Sequence, residues 1–317
     1  MKIAIIGIGG VGGYYGGKLA LKYAALREHD IYFIARGKHL AEIRRNGLKV
    51  LSREGDFTAI PTIATDNPED LGLLDLILFC VKTYDLENAA LQLVNNLKEK
   101  TVVIPLLNGL DNAERLRTIL LKGIVLNGCV YISSSIEGPG VIRQVGGSRK
   151  LIFGPEHGDK EKYQYIEDIL RNANIMAELT DAIEVQVWTK FIFIGPLASI
   201  TSLLQKPLGA VMEDDKSKKM LEGMMKEVEL IAKERGIALP EDIVSLSLEK
   251  VSDFPSDTRT SMQMDFEKGK KTEVKSLTGY IVKSGNKLGI KTPLHQKVYS
   301  ELLKRLPQNN SSKPKLL

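Results

Sequence analysis

Cysteine is scarce in this chain: two among 317 residues, Cys80 and Cys129. Each lies in an apolar run that reads as a buried strand, so a disulfide framework is excluded. Both fit core thiols in a reducing compartment, which points to the cytoplasm. Histidine is scarce too, with four copies at 29, 39, 157 and 295. They lack metal-ligand spacing and no HExxH motif or cysteine pair accompanies them, so no metal site is expected. A G-x-S-x-G elbow is missing, which argues against covalent hydrolysis. No block of one charge sign occurs either: 44 Lys and Arg are interspersed with 39 Asp and Glu, for a net +5 and a pI near 8.9. That distribution favours a small anionic ligand over nucleic acid. The N-terminal MKIAIIG reaches glycines at once, with no cleavage-site pattern and no apolar run long enough for a bilayer, so no membrane partner is expected.

What is present is ordinary in amount and informative in order. Hydrophobic residues make up 43% and charged residues 26%, as in a globular protein. At this length two domains are expected. Strand-like runs occur at Lys2–Ile6, Ile31–Ala35, Leu74–Val81 and Thr101–Leu107, with a further one over Ile124–Ile132. Mostly helix-like segments lie between them, the first over Val11–Leu26. This alternation predicts an α/β fold with a covered parallel sheet. Beyond about residue 180 the pattern becomes helical throughout, with turn signals at Lys206-Pro207 and Gly236. The expected partition is a dinucleotide-binding domain over 1–180 and an all-helical domain over 181–317. The stretch from Pro307 onward reads as a polar tail, and the apolar faces of the helical half make a homodimer plausible.

Gly7, Gly9 and Gly12 have G-x-G-x-x-G spacing directly after the first strand and at the start of a helix. In that context Gly7, Ile8, Gly9, Gly10, Val11 and Gly12 form a turn whose backbone can approach a pyrophosphate, with the helix N-terminus facing it. The second strand ends in Ala35 and Arg36, where NAD-selective proteins carry a carboxylate for the ribose hydroxyls. A guanidinium suits a 2'-phosphate, which favours NADPH; the alternative is that Arg36 caps the sheet edge. Lys82 and Asn108 end two more strands, on the side where ligands of such sheets lie. Asn-Gly is also a turn former, and Lys82 equally suits a solvated strand end. In VWTKFIFIGPLASI, spanning 187–200, Lys190 is the one charged residue. It must either reach solvent along its stem or border a cavity that uses its proton.

Taken together, GIGGVGG, Arg36-Gly37, the VK at Lys82, the NG at Asn108, the WTK at Lys190 and TSMQMDFEKGKKTEV resemble the 2-dehydropantoate 2-reductase (ketopantoate reductase) family over essentially the whole chain. The resemblance implies an N-terminal Rossmann domain followed by a helical domain. It also implies NADPH-dependent reduction of 2-dehydropantoate to pantoate, on the route to pantothenate and coenzyme A. Lys190 would be the general acid, Glu273 the glutamate that meets cofactor and substrate, and Ser261 a substrate-binding serine, with Asp265 in support. Apolar neighbours would lower the pKa of such a lysine and a nearby carboxylate would raise it. Read without the family, Ser261 and Asp265 share one face of a helix, and Thr272 caps a following helix with Glu273 in its first turn. The sequence departs from the family at Ile194 and Ala198, where many members carry substrate-binding asparagines. Gln186, Ser199 and Thr201 are the nearby polar residues that could compensate, and another branched 2-oxo acid or a non-catalytic NADPH sensor are the competing readings.

Overall fold

The computed structural model describes residues 1–306, and the predicted tail from Pro307 lies outside them. The chain forms two compact units, one comprising Met1–Val187 and the other starting at Trp188.

The first unit is built on the apolar runs read from the sequence. Strands β1 (Lys2–Ile6), β2 (Asp30–Ile34), β5 (Ile63–Thr65), β6 (Leu74–Phe79), β7 (Leu97–Pro105) and β8 (Ile124–Val125) make a sheet in the order β5-β2-β1-β6-β7-β8. Every pair in it is parallel. Alternate residues serve opposite faces, which is why both sets must be apolar. Ile3, Ile5, Phe33, Leu76 and Leu78 face one core. Ala4, Ile6, Tyr32, Ile77 and Phe79 face another, completed by helices α3 (Leu86–Leu91) and α4 (Asn112–Ile119).

A second sheet was not anticipated. It consists of β3 (Leu48–Leu51), β4 (Phe57–Ala59), β9 (Asn127–Gly138), β10 (Val141–Gly154) and β11 (Ala177–Leu179). The run expected as one strand over Ile124–Ile132 divides at Leu126: β8 closes the parallel sheet, and β9 begins a long antiparallel hairpin with β10. The start of β10, at Val141–Arg143, then pairs in parallel with β3, and its end, at Leu151–Phe153, with β11. Helix α1 (Gly10–Leu19) and α5 (Gln164–Asn172) contribute to the core that the two sheets share.

Two-sided burial explains why α1 reads GVGGYYGG. A Cβ on Gly16 would sit 3.1 Å from Ile5 and Phe33 of the parallel sheet, whereas one on Gly13 would come within 2.4 Å of Ile142 in β10. Successive helical residues are about 100° apart, so adjacent glycines serve two different neighbours. Past Leu19 the helix relaxes into a π-helical turn over Ala20–Ala24.

From Ile183 on, the described residues are helical, as expected: α6 (Ile183–Leu204), α7 (Leu208–Glu213), α8 (Asp215–Glu234), α9 (Ile243–Val251), α10 (Ser261–Glu267), α11 (Thr278–Leu288) and α12 (Pro293–Lys304). Pro207 precedes α7, and Gly236 takes a φ of 74° just past α8. By length and composition α6 could cross a membrane, yet 72% of its apolar window is buried inside the protein, the pattern of a core helix. Three of its hydroxyls are satisfied internally. Ser199 donates to the Gly195 carbonyl at 2.8 Å, Thr201 to that of Leu197 at 2.8 Å and Ser202 to that of Ala198 at 2.7 Å. Such back-bonding lets a hydroxyl sit in an apolar helix without an unpaired donor.

Two histidines make the fold acid-sensitive. His295, 1% exposed, shares its Nδ1 proton with Glu227 across 2.6 Å, and the same carboxylate accepts the backbone N–H groups of Leu294 and His295 at the start of α12. Burial holds the His295 pKa down despite Glu227. In the first unit, His39 Nδ1 accepts the N–H of Gly140 at 3.0 Å, and burial likewise lowers its pKa. Below about pH 6.5 the unfolded histidines bind protons that the folded ones resist, so stability must fall as the pH drops from there. Thermal unfolding should show a lower Tm at pH 5.5 than at pH 7.5. A Tm unchanged across that interval would contradict the neutral assignments.

Candidate functional site

In the first unit the carboxyl ends of five strands are level. Ile6 pairs with Ile34 and Phe79, Ile34 with Thr65, and Phe79 with Pro105. The order changes direction beside β1, because β2 lies on one side of it and β6 on the other. That is where an open α/β sheet leaves its ligand crevice. Gly7 follows β1, Arg36 follows β2, Lys82 follows β6 and Asn108 follows β7, so the fold brings four separate sequence signals to one edge.

The glycine turn has the shape a diphosphate needs. Gly7 adopts a φ of 96° and donates its N–H to the Ile34 carbonyl at 3.0 Å. A Cβ on Gly12 would lie 2.1 Å from the Gly7 oxygen, and one on Gly10 would lie 2.1 Å from the Ser134 oxygen of β9. Gly9 differs: it is the N-cap of α1, has no side-chain cap and has nothing within 4 Å of its Cβ position. Packing therefore explains the first three glycines, whereas Gly9 is an N-cap with open space before it, which leaves room for a ligand to approach the helix end. These residues fit a dinucleotide. Two variants separate the roles. Gly12→Ala should lower the Tm strongly, whereas Gly9→Ala, which loses only a glycine N-cap, should lower it slightly and weaken dinucleotide binding by about tenfold or more. Intact affinity in the Gly9 variant would remove the phosphate from that turn.

Arg36 is exposed at the N-cap of α2 (Gly37–Asn46). It lines a cavity of about 550 Å³ with Asp66, Asp85, Asn88, Leu91 and Gln92. The β2-end argument found Arg36 but not the two carboxylates, because Asp66 follows β5 and Asp85 precedes α3. Asp66 lies 3.9 Å from Arg44, which shares its charge. Lys82 and Asn108 are both half-buried.

Two residues the sequence reading missed brace these loops. Buried Asn112 donates from Nδ2 to the carbonyls of Leu107, Asn108 and Gly109 at 3.4, 3.3 and 3.4 Å. Arg115 donates to the Thr83 carbonyl at 2.7 Å and to Glu87 at 3.4 Å. It therefore ties the loop after β6 to α4. An Asn four residues after Asn-Gly was the available signal for the first; nothing local marks the second.

The remaining candidates lie in the second unit. Lys190 is 8% exposed and Glu273 4% exposed. Trp188, Phe191 and Ile192 beside the lysine are buried, and the Phe191 ring meets Tyr280 of α11 edge-on at 6.4 Å. Ser261 is the exposed first residue of α10, and Asp265 follows on the same helix, as expected. The side chain of Thr260 caps it by accepting the Gln263 N–H at 3.3 Å. Gly269, at a φ of 60°, ends the segment. The expected helix cap at Thr272 is not observed. Glu273 instead opens a wide turn, its carbonyl accepting from Ser276 and Leu277, and α11 starts only at Thr278. Thr272 Oγ1 is buried with no hydrogen-bond partner among the described residues.

A family model described as ketopantoate reductase PanE/ApbA matches residues 3–158. Its C-terminal counterpart matches residues 182–305. The chain belongs to the ketopantoate reductase family. Among its relatives, this family member is 26% identical over 303 residues to the uncharacterized oxidoreductase YkpB of Bacillus subtilis (strain 168), covering 95% of this chain and 98% of that one. It is 34% identical to the crystal structure of 2-dehydropantoate 2-reductase from Porphyromonas gingivalis W83, with a TM-score of 0.83 over 96% of this chain and 99% of that one. A ternary structure of D-mandelate dehydrogenase with NADH and anilino(oxo)acetate superimposes with a TM-score of 0.85 over 96% and 98% of the two chains. Its 21% identity makes that likeness one of fold alone. The match makes this chain an oxidoreductase of the ketopantoate reductase family.

Proposed function

We propose that this protein uses NADPH to reduce a branched 2-oxo acid to its 2-hydroxy acid, with Lys190 as proton donor. The observation that carries the proposal is the near-complete burial of Lys190 on an otherwise apolar helix. When bound, the reduced nicotinamide supplies the hydride, which bonds to the 2-oxo carbon as the carbonyl pair moves to oxygen and NADP⁺ is left. Lys190 donates its proton to that oxygen and, while charged, stabilises the developing alkoxide. Gly9 leaves room for the pyrophosphate and Arg36 supplies a fork for the 2'-phosphate. Lys82 and Asn108 border the nicotinamide end, Ser261 orients the substrate, and Glu273 meets both partners beside the lysine. A cytoplasmic, reducing setting agrees with Cys80 and Cys129 forming no disulfide.

Two substrates compete. Membership in the family supports 2-dehydropantoate, hence a step toward pantothenate and coenzyme A. Ile194 and Ala198 favour a different branched 2-oxo acid. Steady-state oxidation of NADPH by purified protein tests the reading: 2-oxo acids should be turned over, and NADPH consumed one for one with 2-hydroxy acid formed. Tight NADPH binding without turnover of any 2-oxo acid would overturn the enzyme reading in favour of a nucleotide sensor.

A further inference from the structure

Helix α4 grips two loops at once, one after β6 and one after β7. Its apolar residues Ala113 and Leu116 are buried in one cluster with Leu86, Ala89 and Ala90 of α3 and with Leu107, so the helix is anchored without help from its polar side chains. Two of those side chains, Asn112 and Arg115, stand three positions apart and therefore share a side of the helix. Each ends on the backbone of a different loop.

Asn112 is 3% exposed and directs its amide NH2 at three successive carbonyls, those of Leu107, Asn108 and Gly109. Its Oδ1 is buried with no hydrogen-bond partner among the described residues. For stability this is a poor exchange: three long bonds are set against one buried acceptor without a donor. What it secures is the path of the backbone at Asn108. Gly109 is fitted to the same contact, with a φ of 122° and a Cβ position only 3.3 Å from Asn112 Nδ2. On the other loop, the Lys82 carbonyl accepts the Asp85 N–H at 2.9 Å and so closes a turn that contains Thr83. Arg115 donates to the Thr83 carbonyl at 2.7 Å, while Glu87 at 3.4 Å and Asp111 at 3.8 Å hold its guanidinium.

We propose that Asn112 and Arg115 form a clamp that positions the nicotinamide. By fixing the backbone at Thr83 and Asn108 from one helix, they keep the two loops in register with each other. Both act through the loops they hold and not by contact with cofactor or substrate. The inference rests on the proposed placement of the nicotinamide end beside Lys82 and Asn108. Such bracing matters because a displacement of about 1 Å at a reacting centre can cost on the order of 10²-fold in rate.

Binding of two ligands to the full-length protein tests it: NADPH, and 2'-phospho-ADP-ribose, which lacks the nicotinamide. Asn112→Leu keeps the volume and removes the donor, Arg115→Met removes the guanidinium, and Arg115→Lys returns one donor for the Thr83 carbonyl. NADPH should bind about fivefold more weakly or worse in Asn112→Leu and Arg115→Met, and 2'-phospho-ADP-ribose less than about twofold more weakly, with part of the loss recovered in Arg115→Lys. The emission of bound NADPH, which reports the surroundings of its nicotinamide, should change in the same two variants. Equal losses for both ligands, or a lower Tm with both affinities intact, would make the two residues merely structural and overturn the inference. Asn108→Ala tests the placement itself. If it too leaves the ratio of the two affinities unchanged, the nicotinamide end lies elsewhere and that reading falls with the clamp. A ratio moved by Asn108→Ala but not by Asn112→Leu or Arg115→Met overturns the clamp alone. If the unmodified protein binds neither ligand, the dinucleotide reading falls, and the inference with it.

Discussion

Replacing Lys190 with alanine should lower kcat by roughly 10²- to 10⁴-fold, the range over which positioned acids act, with NADPH affinity nearly unchanged. The separation of the two effects is the informative part. Lys190 is held in the second unit, whereas the glycine turn and Arg36 belong to the first, so on the proposed reading losing the amine would remove a proton and a charge and leave the residues proposed to hold the phosphates unchanged. Lys190→Ala also leaves a space at a buried position, so some stability loss is expected. Lys190→Met, which keeps the length and loses the charge, isolates the chemical effect. Single-turnover rates with bound NADPH would measure it directly. A kcat within a few-fold of the parent in both variants would return Lys190 to the status of a packed lysine that reaches solvent along its stem.

Arg36→Ala should weaken NADPH by about tenfold or more and NADH by less than about twofold. The expectation follows from the charge-assisted bonds that a guanidinium makes with a phosphate, about 1.5–3 kcal/mol in total when they are well formed. Solvent exposure of Arg36 places the effect at the lower end of that range. Asp66 and Asp85 share the cavity, and their charge opposes a 2'-phosphate once Arg36 is gone. Fluorescence titration of both nucleotides with both proteins gives the two ratios. Equal losses would assign Arg36 to the sheet edge and leave the choice of nucleotide to other residues.

The parts of this fold that could be read from the sequence are those set by short-range pattern. The runs at Lys2–Ile6 and Leu74–Phe79 are apolar at every position because both faces are covered, and the glycine turn is contiguous. The helical half announced itself by period. The second sheet did not, because it depends on partners far apart in the chain: β3 pairs with β10 some ninety residues later, and the β9–β10 ladder contains register shifts that break any alternation. At the site, Arg36, Lys82 and Asn108 were legible as strand ends, but Asp66 reaches the cavity only through the order of strands. The region of Glu273 was misread for a local reason. Thr272-Glu273 has the composition of a helix start, yet the Leu277 and Gly279 amides bond back to Glu273 and Val274, delaying the helix to Thr278.

The position of α1 between two sheets has a consequence for engineering. Its glycines meet β1 and β2 on one side and β10 on the other, so the helix has almost no tolerated substitutions and almost no freedom to tilt. Amide hydrogens in its central turn should be among the slowest to exchange in the first unit. Any attempt to alter nucleotide preference is therefore best confined to Arg36, Asp66 and Asp85 around the cavity, because substitutions that reach into the glycine helix should cost stability first.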